Sequence, residues 1–131
     1  MSSLPITARH LGQCVRVVIA DEDLWDRLRE AVPEFAPEMD AHLSDNFGEV
    51  LNHLLFANLV RFMLAARNRG DDALVSRVLV FADLVLREGD DKARNVIEVS
   101  FVENVVGGLD APWSFVATWP RALRDDADRY R

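Results

Sequence analysis

The sequence predicts an all-α fold, an irregular bundle of about six helices with αα-hairpins in a HEAT-like arrangement. Three observations predict it. Apolar residues recur at three- and four-residue spacing along most of the chain. Acidic residues open several of these runs, and glycine or proline closes them. The longest apolar stretch, residues 49–69, is apolar nearly all round, the mark of a helix buried in the middle of a bundle. With 131 residues, half of them hydrophobic, the expectation is one domain over residues 1–131, large enough to bury a core. Residues 1–20 are open to reading as an arm, a strand or a helix, and 21–131 are the helical core.

Residues 14–20, CVRVVIA, are β-branched and read as a short strand, an arm or the end of a helix begun near Thr7. A lone strand has nothing to pair with in a helical chain unless a partner supplies it. Asp21 is a good N-cap for a first helix that carries Leu24, Leu28 and Val32 on one face, with Trp25 beside them. Pro33 stops it. A short helix from Glu34 to Leu43 follows, with Phe35, Met39 and Leu43 as its buried stripe.

Ser44 to Gly48 is turn chemistry. It hands over to the central helix, Glu49 to Arg69, whose buried row is Leu51, Leu55, Leu59, Phe62 and Ala66, flanked by Phe56 and Met63. Gly70 ends it. Asp71 and Asp72 open the next helix and Gly89 closes it; a narrow polar stripe of Asp72, Ser76, Asp83 and Arg87 faces out. Asp90 and Asp91 open a fifth segment ending at Gly107. Ile97, Val99 and Phe101 alternate there as a strand would, yet about 17 residues is long for a strand and ordinary for a helix. Residues 113–131 predict one or two closing helices broken at Pro120, anchored by Trp119, Leu123 and Tyr130.

Charge narrows the function classes. Residues 21–49 hold ten acids against Arg27 and Arg29, a net of −8; the remainder holds twelve acids and thirteen bases, a net of +1. An acidic quarter repels nucleic acid and anionic membrane and steers a basic protein; it also serves plain solubility. Asp21, Asp23, Asp26, Glu30, Glu34, Glu38, Asp40 and Asp45 are therefore the candidate partner-binding acids, with Trp25 as an anchor if exposed. No apolar run reaches the roughly 18 residues of a membrane span, and the N-terminus has no signal-peptide pattern. A single Cys14 fits a reducing cytoplasm.

No catalytic motif is present, and no cofactor is expected. His42, Glu49 and His53 are the candidate metal set, since Glu49 and His53 stand four apart on one predicted helix. The turn between His42 and Glu49 breaks their register, and Glu49 also suits a first helical turn. Glu98, Glu103 and Asn104 are a second polar set. The two carboxylates do not share a helical face, so they do not form an acid/base pair. Asn104 falls near Ala93, Ile97 and Ser100 and needs hydrogen-bond partners there.

The order VPEF, HLSDNFGEVLNHLLFANL, NVIEVSFVENV and WPRAL resembles a family of small uncharacterised bacterial all-helical proteins over residues 24–123. The matching positions are Pro33 to Phe35, His53, Ser100 to Asn104 and Pro120 to Leu123. Trp119 stands where the family pattern has glycine. Proteins of this kind resemble immunity proteins of polymorphic toxin systems, small, acidic and without an active site. The resemblance implies a non-enzymatic cytoplasmic binding protein that neutralises a basic toxin domain. The alternatives are a small metal protein or enzyme using His42, Glu49 and His53, or a structural or regulatory homodimer.

Overall fold

The computed structural model of the chain describes residues 18–108 and 113–131. These residues are all-α, with seven α-helices joined by short turns and no strand ladder among them. α1 is Leu24–Ala31, α2 Ala36–Asp45, α3 Asn52–Asn68, α4 Asp72–Glu88, α5 Asp91–Ile97, α6 Trp113–Val116 and α7 Arg121–Asp128. Among the described residues no helix is long and apolar enough to cross a membrane.

Of the 14–20 segment, only residues 18–20 lie within the described part. Ile19 is almost fully buried and extended, and it makes one isolated bridge to Gly89. Its N–H donates to the Glu88 carbonyl and its own carbonyl accepts the Asp90 N–H, both at 2.8 Å. The partner for this extended piece is thus the joint between α4 and α5. Gly89 is required there, because a Cβ would lie 2.5 Å from the Val85 carbonyl oxygen.

The 3₁₀ turn Asp21–Asp23 leads into α1, which buries Leu24 and Leu28. A second 3₁₀ turn, Pro33–Phe35, precedes α2. Both prolines of this region sit in a first turn, where a missing N–H costs no hydrogen bond. The predicted helix at Glu34 therefore begins two residues late as α-helix and runs on to Asp45.

The central helix differs from its expected form at one end. α3 starts at Asn52, three residues after Glu49, because the chain from Phe47 to Leu51 is still turning. Leu51 has extended backbone, and its carbonyl accepts the Leu55 N–H, making it the N-cap. Leu55, Phe56, Leu59, Val60, Met63 and Ala66 are buried as a central post requires. Leu51 and Leu54 are 41% and 46% exposed, so the post is not apolar-in all round; its first turn presents leucines to solvent.

α4 is entered through Gly70, at φ 83°, and Asp71, whose Oδ1 accepts the Leu74 N–H at 3.3 Å. α5 is capped likewise by Asp90 onto Ala93 N–H at 2.8 Å. Beyond Ile97 the same helix widens to π-type winding over Glu98–Val102 and Asn104–Gly108. Asn104 Nδ2 donates to the Ser100 carbonyl at 3.0 Å, a side-chain intrusion into the backbone ladder that accompanies the widening. The helix expectation for this segment holds, and strand alternation at residues 97–101 does not.

Asp83 is 8% exposed and does not face out. Its Oδ1 accepts the Leu123 N–H at 3.0 Å and its Oδ2 the Arg87 Nε at 3.0 Å. α7 follows Pro120 with no capping side chain of its own, so α4 supplies the cap from across the core. Trp119 fills the space beneath, edge-on to Phe115 with ring centroids 5.8 Å apart. One cluster of buried residues runs continuously from Ile19 to Ala127.

Candidate functional site

The site is the connection between α2 and α3. Asn46, Phe47 and Gly48 turn the chain, with Phe47 at φ 57° and Gly48 at φ 81°. Gly48 is at ease in left-handed backbone; a phenylalanine there costs about 1 kcal/mol. The turn is nevertheless well tied. Gly48 N–H donates to the Leu43 carbonyl at 2.8 Å, and Asn46 Nδ2 donates to the His42 carbonyl at 2.7 Å.

The turn displays apolar surface. Phe47 is 100% exposed, Val50 is 40% exposed, and Leu51 and Leu54 follow. Seven large hydrophobic side chains are exposed among the described residues, and these four fall within residues 47–54. Singly exposed hydrophobes need no explanation; four within eight residues, led by a fully exposed aromatic, make a candidate contact surface. The tip also opens a groove of about 510 Å³ between α2 and α3, lined by Glu38, His42, Asp45, Asn46, Leu54 and Arg61 among others.

His42 holds the tip from beneath. It is 3% exposed and faces Trp25 of α1, with ring centroids 6.4 Å apart. Its Nε2 accepts the Leu51 N–H at 3.0 Å. An imidazole that accepts at Nε2 is neutral and carries its proton on Nδ1, which has no partner among the described residues. Burial pushes the His42 pKa below its ordinary value, while Asp45 pulls it back up.

The candidate acids divide into two groups. Three have carboxylates already engaged within the chain. Asp23 Oδ2 accepts the Ala20 N–H at 3.3 Å. Asp21 is half-buried; its backbone carbonyl, not its carboxylate, accepts Asn52 Nδ2 at 3.0 Å. Asp40 pairs with Arg29 at 3.0 Å. Glu34 receives both arms of Arg77, which holds its carboxyl at about 2, chiefly through those hydrogen bonds. Asp26, Glu30, Glu38 and Asp45 are exposed and make no ion pair among the described residues. Trp25 is half-buried against the core. The exposed aromatic is Phe47, which sequence periodicity passes over because it lies in a turn; its position between Asn46 and Gly48 was the available signal.

The candidate metal set is not assembled. Glu49 is an exposed loop residue, His42 bonds the Leu51 amide, and His53 turns towards α5, its Nδ1 2.6 Å from Ser100 Oγ. Among the described residues no group of three or more histidine, cysteine, aspartate or glutamate side chains is placed to hold a metal ion. His53 and Ser100 do come together, which their separation of 47 residues conceals. A serine beside a histidine is the start of a nucleophile. Here Ser100 is buried, and no described carboxylate orients the imidazole, so the pair acts as a tie between α3 and the π-wound helix. Asn104 finds its partner within its own helix, at the Ser100 carbonyl. Glu98 lies 3.7 Å from Arg129 of the C-terminal tail.

The chain belongs to the family described as Domain of unknown function (DUF7674), which matches residues 25–124. That span includes α1, the tip, the His53–Ser100 tie and the start of α7. No curated protein and no solved structure matches the chain.

Proposed function

We propose that this protein is a non-enzymatic binding protein that docks a basic protein partner through the Phe47 tip and the acidic face of α1 and α2. The single observation that carries the reading is the fully exposed Phe47, in left-handed backbone within a turn tied by partly buried hydrogen bonds. A chain under selection for stability alone gains nothing from that arrangement. Placing an aromatic ring in a partner's apolar pocket returns about 1.5–3 kcal/mol.

Magnitudes assign the roles. Exposed ion pairs contribute about 0–1 kcal/mol each, less than one buried ring. Asp26, Glu30, Glu38 and Asp45 therefore supply approach and orientation, and Phe47 with Val50, Leu51 and Leu54 supplies residence time. On this reading the protein acts as an immunity protein, and the partner is a toxin domain whose basic cleft, such as that of a nuclease, is masked in the cytoplasm.

The test is binding kinetics with the product of the adjacent gene. Phe47→Ala is expected to weaken affinity by roughly 10- to 100-fold through faster dissociation. Reversing Asp26, Glu30, Glu38 and Asp45 to lysine together is expected to slow association and flatten its salt dependence. Unchanged kinetics in both variants would overturn the assignment of this surface. Light scattering on the free chain separates a heteromeric partner from a second copy docked by the same tip.

A further inference from the structure

The α2–α3 connection is fastened unevenly. Its first half is tied by three hydrogen bonds that do not titrate: Asn46 N–H and Gly48 N–H to the Leu43 carbonyl, and Asn46 Nδ2 to the His42 carbonyl. Its second half, where the chain turns into α3, is tied back to α2 by one, the Leu51 N–H to His42 Nε2 at 3.0 Å. That acceptor exists only while the imidazole is neutral.

We infer that His42 is a proton-operated positioning residue for the docking tip, latching its exit at Leu51 when neutral and releasing it when protonated. On protonation the lone pair at Nε2 becomes an N–H, which then faces the Leu51 N–H donor to donor. The contact changes from attraction to repulsion, in a partly buried site where water screens it only in part. The imidazolium gains its proton from solvent, and nothing else in the balance changes.

The surroundings oppose protonation without excluding it. From α2 itself, Asp45 favours the charged ring, and Glu38 lines the same groove. From α3, Arg61 lines that groove. From α1 the neutral Trp25 ring faces it. Burial dominates, and the neutral form is the one the fold is built around. The sign follows: a histidine with a depressed folded pKa contributes stability in full above its unfolded value, and that contribution falls as pH drops from about 6.5 through the folded value. The tip is thus held firmly at neutral pH and loosened in mild acid.

The consequence for partner binding rests on the docking reading above; the latch itself is measured on the free chain, so the two fail separately. The experiment is an amide and imidazole NMR titration of the whole chain from pH 7.5 to 4.5. The His42 ring is expected to titrate below the ordinary 6.5. The Leu51 amide proton is expected to move upfield with the same midpoint, its protection from exchange dropping roughly tenfold after correction for intrinsic rate. His42→Gln keeps an acceptor without a titration, so its Leu51 amide is expected to stay fixed across the range. A Leu51 amide that does not follow the His42 midpoint, or that titrates equally in the glutamine variant, would overturn the latch. The wild-type titration decides the matter even if a variant folds poorly.

Discussion

The two connections that flank α3 perform the same topological task with opposite chemistry. At the C-terminal end, Arg69, Gly70 and Asp71 pass the chain to α4 with a glycine in the left-handed position and an aspartate on the next helix N-terminus. Each residue is the type its backbone prefers, and no large hydrophobic side chain is exposed there. At the N-terminal end, residues 46–51 place a phenylalanine in left-handed backbone, leave its ring in solvent and recruit a buried histidine to hold the exit. The first connection is optimised for folding. The second carries local cost, and such cost concentrates where proteins act, which is why the docking surface is proposed there.

Replacing His42 by phenylalanine tests this contrast most severely. An aromatic ring stays in place, but the Leu51 N–H loses its acceptor in a partly buried site. The expected loss is about 1–3 kcal/mol, read as a lower urea midpoint at pH 7.5. The difference from wild type should shrink towards pH 5, where wild type also loses the acceptor. Next in size is Gly70→Ala. An added Cβ meets nothing within 4 Å, so the expected loss of about 1 kcal/mol is conformational alone. If Gly70→Ala proved more costly than His42→Phe, the claim that the special network lies at the N-terminal connection would fail.

The same contrast explains what the sequence revealed. The helices were legible wherever apolar spacing and caps agreed: Asp71 and Asp90 cap α4 and α5, and Pro120 separates α6 from α7. The start of α3 falls later than its spacing predicts because Val50 and Leu51 continue the apolar pattern, and Glu49 suits a first turn, in residues that a left-handed pair has already turned away. Long-range ties were invisible for a different reason. Asp83 fits an exposed stripe by phase, yet it caps a helix 40 residues later, and His53 meets Ser100 only through packing. The acidic face was legible as composition; which acids are free depended on where Arg29 and Arg77 fell.

The smallest expected effect sharpens the comparison furthest. Phe47→Asn replaces a residue that strains in left-handed backbone with one that tolerates it, while removing a ring that touches no buried neighbour. The expected outcome is a gain of a few tenths of a kcal/mol, seen as a thermal midpoint higher by roughly 1–2 °C. A stabilising substitution at the centre of a proposed contact surface is the signature of stability given up for binding. Thermal unfolding of Phe47→Asn beside Phe47→Ala separates the terms. Both remove the ring, but only asparagine relieves the backbone, so asparagine should be the more stable of the two. If both variants destabilised the free chain equally, Phe47 would be supporting the fold through a contact of its ring, and the tip would belong with the connection at Gly70 as a device for folding.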